Sequence, residues 1–159
     1  MKKIPTLFKK KYDDKGRYIG VINEYNEGLQ DIIHLALPTI KYDGSACMVT
    51  EDKLYKRYDV KPGKKVPEGA IPCQDEADAV SGHFPVWVEC SEENPADKWF
   101  IEAHKFLISS PFVIGTYEAV GPHFQGNPYN LDFDVLIPHG RDVINHDLIK
   151  YEDIKKYLE

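Results

Sequence analysis

Apolar and polar residues alternate along much of the chain with the two-residue period of a half-buried strand. Tyr18–Tyr25 (YIGVINEY) reads as one strand, and Ser45–Thr50 (SACMVT) as another. Lys53–Val60 (KLYKRYDV) alternates and reads as the return strand of a hairpin turning at Glu51 and Asp52. Ile32–Ile40 is an apolar run closed by a Pro-Thr turn, and Pro62–Gln74, rich in proline and glycine, reads as a loop. Val86-Trp87-Val88 forms the centre of a short strand. Asn94-Pro95-Ala96-Asp97 has the form of a helix start, with Asn94 as cap and Pro95 in the first turn. That helix extends to about Leu107 and places Trp99, Ala103 and Phe106 or Leu107 on one face. Phe112–Val120 reads as a buried strand, Gly121–Asn130 as a turn-rich loop, and Asp132–Ile137 as a further strand. Asp147–Leu158 is amphipathic through Leu148, Ile149, Ile154, Tyr157 and Leu158 and reads as a terminal helix. The expected class is α+β, dominated by antiparallel sheet.

A length of 159 residues fits one domain, spanning 1–159, with roughly 70% of the unfolded surface buried. Hydrophobic content of 42% with 10 Tyr, 7 Phe and 2 Trp argues against disorder. No apolar run approaches the ~20 residues of a membrane helix. The basic start Met1-Lys2-Lys3 has no apolar segment behind it, so no secretory signal is read. Cys47, Cys73 and Cys90 are odd in number and widely spaced, which fits neither a disulfide framework nor a zinc site. A reduced, cytoplasmic protein is expected. The net charge of −6 does not favour nucleic-acid binding as a whole-molecule property. The basic residues are nonetheless clustered: Lys9-Lys10-Lys11 and the stretch from Lys53 to Lys65 carry much of the positive charge, with Lys15 just beyond the first cluster.

Candidate chemistry lies in Pro38-Thr39-Ile40-Lys41-Tyr42-Asp43-Gly44-Ser45. Asp-Gly is a common turn, and by itself it says no more. A lysine at the end of an apolar run is also a possible nucleophile. Its amine attacks only when unprotonated, which needs a low-dielectric pocket or neighbouring cations. The following glycine lets backbone approach a ligand closely.

K-x-D-G is the nucleophile motif of the ligase and capping-enzyme nucleotidyltransferases. The order Lys41-Tyr42-Asp43-Gly44, then Arg57 in a following strand, then Tyr117-Glu118 before Gly-Pro, resembles the ATP-dependent RNA ligases. Gly82-His83-Phe84-Pro85-Val86-Trp87-Val88, Gly126-Asn127-Pro128-Tyr129 and Leu136-Ile137-Pro138-His139-Gly140 are similar to segments of the single-domain 5′–3′ RNA ligase family. The resemblance runs in one order from about Pro38 to Gly140. It implies an antiparallel-sheet-rich nucleotidyltransferase (ligase adenylation) domain, ATP and Mg²⁺ or Mn²⁺ as cofactors, and RNA 5′-phosphate and 3′-hydroxyl ends as partners in RNA repair. It further implies that Lys41 forms a lysyl-AMP adduct. Arg57, Glu118, Asp43, Gly44 and Phe133 would then contact the nucleotide. For Arg57 the alternative is a surface strand residue. For Glu118 it is a rim carboxylate, although its apolar strand favours a buried polar role. Phe133 either stacks on adenine or packs in the core, and His139 is either structural or a contact to substrate. His83 and Cys90 fit no standard metal site, so no metal ligand is assigned.

The family's later motifs, E-G-[IV]-V and K-x-K, are not found after Asp134; Lys155 and Lys156 are adjacent rather than spaced. A shortened domain, a site completed by a second chain, and a non-ligating relative all fit that departure. The functions expected are RNA end joining through lysyl-AMP, nucleotide or RNA binding without turnover, or transfer to another acceptor such as a DNA end or a cap.

Overall fold

The computed structural model describes residues 4–79, 81–108, 114–144 and 148–159. Among the described residues, eight strands and two α-helices follow in the order β1 (Phe8–Tyr12), β2 (Tyr18–Tyr25), β3 (Ser45–Val49), β4 (Leu54–Val60), β5 (Ile71–Pro72), β6 (Phe84–Glu89), α1 (Lys98–Ile108), β7 (Gly115–Val120), β8 (Val135–Pro138) and α2 (Tyr151–Leu158). The expected class, mixed α and β with antiparallel sheet, is what the chain adopts. It divides into two compact units, one of Lys41–Arg141 and one of the flanking segments through Ile40 and from Asp142. Among the described residues no helix is long and apolar enough to cross a membrane.

The first unit is a six-stranded sheet in the order β5-β6-β4-β3-β7-β8, antiparallel throughout. The β3–β4 hairpin turns where the alternation predicts, with the Thr50 N–H donating to Lys53 O at 2.9 Å. Register places Cys47, Lys56 and Tyr117 on one face. That face carries the core: Cys47, Val49, Leu54, Tyr117, Ala119 and Leu136 pack with Ala103 of α1. Trp99 and Leu107, expected on the apolar face of the helix, pack against this core, whereas Phe106 is largely exposed. Burial pushes the Cys47 thiol far above its ordinary value and the Cys90 thiol up to about 12.

The start of α1 is built as the sequence indicates. A 3₁₀ turn, Pro95–Asp97, precedes it, and the Asn94 side chain accepts from the Ala96 N–H at 3.1 Å. Asp97 is 1% exposed. Its carboxylate accepts from the Ser91 N–H at 3.1 Å, from Asn94 Nδ2 at 3.0 Å and from the Lys56 ammonium of β4. One buried charge thus fastens the helix start to the sheet.

Three expectations change. Phe133 precedes β8 instead of lying in a strand, because the sheet pairing begins at Val135. Strand β7 begins at Gly115; Phe112 and Val113 lie outside the described residues. Helix α2 begins at Tyr151, after Leu148 and Ile149, and Asp147 lies outside the described residues.

The second unit pairs β1 with β2 and closes on α2. Phe8 is its buried centre, with the Tyr25 ring at 4.9 Å and the Tyr151 ring edge-on at 5.1 Å. The Tyr25 hydroxyl donates to Ile149 O at 2.9 Å. The apolar run Ile32–Ile40 forms no strand. It contains one 3₁₀ turn, Ile33–Leu35, and a single bridge between Thr39 and Val143. Leu35 and Leu37 are about three-quarters exposed, at 76% and 74%. A cavity of about 670 Å³ opens here, lined by Ile33, Leu37, Val143 and Ile154 among others; it holds none of the candidate site residues.

The Asp97 cluster yields a stability prediction. Asp97→Ala leaves the Lys56 ammonium without its buried counter-charge and should cost about 3–5 kcal/mol in urea unfolding. A Lys56→Met, Asp97→Ala double variant should recover part of that loss, since no charge is then left unpaired. A loss under about 1 kcal/mol for Asp97→Ala would show that water, and not the ion pair, satisfies this site.

Candidate functional site

The face of the six-stranded sheet turned away from the core carries the candidate chemistry. Glu118 of β7 lies on it, level with Ala46 of β3 and Ile137 of β8. Its side chain is only 11% exposed, so both carboxylate oxygens need partners. Oε1 accepts from the Gly44 N–H at 3.0 Å, and Oε2 lies 2.8 Å from His139 Nε2. The other ring nitrogen, Nδ1, is 3.0 Å from the Thr116 hydroxyl. Because an ionised carboxylate only accepts, Nε2 donates to it and Nδ1 is free to accept from Thr116.

Lys41-Tyr42-Asp43-Gly44 forms the loop entering β3. The Asp43 N–H donates to the Tyr129 hydroxyl at 2.6 Å, and the Tyr42 ring meets the Tyr129 ring edge-on at 5.2 Å. Gly44 is a steric requirement: a Cβ there would lie 2.1 Å from Ala119 O and 2.8 Å from Val120 Cγ1. Two adjacent backbone N–H groups of the loop are therefore held, one by a phenol and one by a buried carboxylate. Lys41 itself is exposed, and it follows a loop instead of ending a buried strand. The low-dielectric setting expected for its amine is not supplied by burial.

Arg57 shares the Glu118 face. Carrying the β3–β4 register on by one residue sets Arg57 level with Ala46, whose other neighbour is Glu118. Two strand spacings, about 10 Å, separate their backbones, with only a methyl group between. Arg57 Nε contacts Asp59 Oδ1 at 3.0 Å. The basic stretch is partly neutralised: Lys53 pairs with Glu89 at 2.8 Å, and Lys56 with Asp97. Lys61, Lys64 and Lys65 are exposed in the following loop. In the other basic cluster, Lys9 pairs with Glu24 at 2.8 Å.

The Phe133 ring packs on Phe106 of α1, with centroids 5.6 Å apart. Next to it, Asp134 is 7% exposed and receives the His123 N–H at 3.1 Å, with His123 Nδ1 at 2.7 Å. The His123 ring lies flat on Trp99. A cavity of about 590 Å³ opens between α1, β8 and the loop, with Tyr42, Phe106, Tyr129 and Arg141 in its lining. Among the described residues, no three His, Cys, Asp or Glu side chains gather as a metal site.

Sequence reasoning singled out Glu118 and the Lys41 loop, which the structure brings into contact, but it left His139 as structural or a substrate contact and assigned no contact to Tyr129. A signal existed for the first: Thr116-x-Glu118 and Ile137-x-His139 share the two-residue period of one sheet face. No local signal places Tyr129, which meets Asp43 across 86 positions of sequence.

The fold and site thus define a mixed α and β protein with a clamped K-x-D-G loop on an antiparallel sheet. No protein-family model matches the chain. The chain is similar to a protein named RNA ligase 1 from Pongo abelii, 24% identical over 205 aligned positions that cover 84% of this chain and 62% of the relative. It therefore spans about three-fifths of the relative's length, and the aligned span exceeds its own 159 residues, so the relative carries segments that this chain lacks.

Gly44→Ala tests the close approach. The added methyl must push β3 from the Ala119 backbone, and a loss of about 3 kcal/mol or more in denaturant unfolding is expected. A variant as stable as the parent would mean that the loop and β7 are further apart in solution.

Proposed function

We propose that this chain carries the nucleotidyl-transfer chemistry of an ATP-dependent RNA ligase, with Lys41 as the nucleophile. The observation that carries the reading is the 3.0 Å bond from the Gly44 N–H to Glu118 Oε1. Two segments of the resemblance, 74 residues apart in sequence, are in direct hydrogen-bond contact, which supports the reading. The similarity to RNA ligase 1 supports the same reading.

In this reading the chain adopts the ligase adenylation fold. The unprotonated Lys41 Nζ attacks the α-phosphorus of ATP. The P–N bond forms as the bond to the bridging oxygen breaks, pyrophosphate leaves, and the amine loses its proton to solvent. An RNA 5′-phosphate oxygen then attacks the same phosphorus, the P–N bond breaks, and the lysine amine leaves with a proton from solvent. The RNA 3′-hydroxyl attacks that 5′-phosphorus and gives its proton to solvent, the bond to the AMP oxygen breaks, and the strand is sealed. Arg57, on the same face as Glu118, would neutralise phosphate charge, and Asp43 and Gly44 would fix the loop against the nucleotide. Magnesium enters with ATP as its complex. The described residues do not gather as a metal site, so no step is assigned to a protein-held metal.

Binding without turnover is the second reading, and the exposure of Lys41 favours it. Both are decided by intact-mass analysis after incubation with ATP and magnesium. The expected result is one AMP added, stable to denaturation and absent from Lys41→Ala. A folded sample that binds ATP without forming an adduct would replace the ligase reading with the binding one.

A further inference from the structure

Glu118 holds the loop, and what holds Glu118 is His139. The imidazole sits at the end of β8, where the register makes it level with Thr116 and diagonal to Glu118. Thr116 grips the residue twice. Its carbonyl accepts the His139 N–H at 3.1 Å, and its hydroxyl lies 3.0 Å from Nδ1. A ring fixed at Nδ1 and at its own backbone has one direction left for the Nε2–H, and Glu118 Oε2 lies on it at 2.8 Å. With that oxygen satisfied, Glu118 presents Oε1 to the Gly44 N–H.

We infer that His139 is a positioning residue, which acts through Glu118 to hold the Gly44 end of the loop that carries Lys41. The contact runs from Thr116 to His139, to Glu118, to the Gly44 amide, each link 2.8–3.0 Å long. The inference deepens the ligase reading and rests on it for its catalytic consequence, but the clamp is a property of the folded chain. Glu118 in this arrangement has both oxygens committed to protein. Its first work is on the loop backbone, before any nucleotide arrives.

The test compares His139→Leu, His139→Gln and Thr116→Val with the parent in two assays. Amide hydrogen exchange at Gly44 reads the clamp without any need for activity. Single-turnover formation of lysyl-AMP, across a range of ATP concentrations, reads its effect on the reaction. For His139→Leu, Gly44 exchange should quicken by about tenfold or more. The maximal adduct rate should fall by about tenfold or more, with the apparent ATP affinity within about threefold, because loop misplacement acts on the reacting geometry. The glutamine amide can donate from nearly the same place, so His139→Gln should restore both quantities to within about threefold. Thr116→Val keeps the donor but frees the ring and should fall between the two. Unchanged Gly44 exchange in a folded His139→Leu would overturn the inference. So would glutamine and leucine failing equally, since His139 would then be a packing residue. If the parent forms no adduct, the ligase reading fails, and Gly44 exchange still decides the role of His139.

Discussion

A carboxylate with little access to water on one face of a sheet constrains everything around it. Taking Glu118 out of water costs several kcal/mol unless its oxygens are met by donors. The strand gives it none, because β-ladder N–H groups are spent on neighbouring strands. The donors must come from outside the ladder, and they do: one from the backbone at Gly44, one from the ring of His139. The polypeptide on both sides of β7 is thereby committed. On the β3 side the K-x-D-G loop must approach within hydrogen-bond distance. On the β8 side the chain must bring an imidazole to the strand's end.

The same constraint explains the small residues nearby. A backbone donor can reach Oε1 only if the loop lies against β7, and Gly44 is where a side chain would strike Ala119 O. Ala46, level with Glu118, leaves the face open between Glu118 and Arg57. On the other face, the large residues Tyr117, Val49 and Leu54 fill the core with α1. The Glu118 face also buries large residues, Trp87 and Ile137 among them, but there Glu118 must in addition be met by hydrogen-bond donors.

Periodicity made much of the fold legible. Strands β2, β3 and β4 and the capped start of α1 follow from alternation and from Asn94-Pro95, because those signals are local. Strand β1 escaped because FKKKY has no apolar alternation; only Phe8 is buried, and its pairing with β2 is what makes it a strand. The apolar run before Lys41 has the composition of a buried strand, yet among the described residues it makes only the Thr39–Val143 bridge and one 3₁₀ turn. Of the site, the loop and Glu118 were visible as motifs. The roles of His139 and Tyr129 were not, since each depends on contacts that only the folded register creates. For Phe133 both adenine stacking and core packing were open; the sheet pairing begins two residues later, at Val135, and its ring packs on Phe106.

The arrangement also bears on how a nucleophile can be prepared. The loop's backbone is fixed at Asp43 and Gly44, while the lysine side chain two and three residues earlier is left in solvent. Position and activation are thus separated in this chain. Fixing the backbone supplies orientation, the part of catalysis that is paid in entropy before substrate arrives. Lowering the amine's proton affinity needs desolvation or added positive charge. On the proposed ligase reading, the bound nucleotide with its counter-ions, or surrounding polypeptide, would supply them.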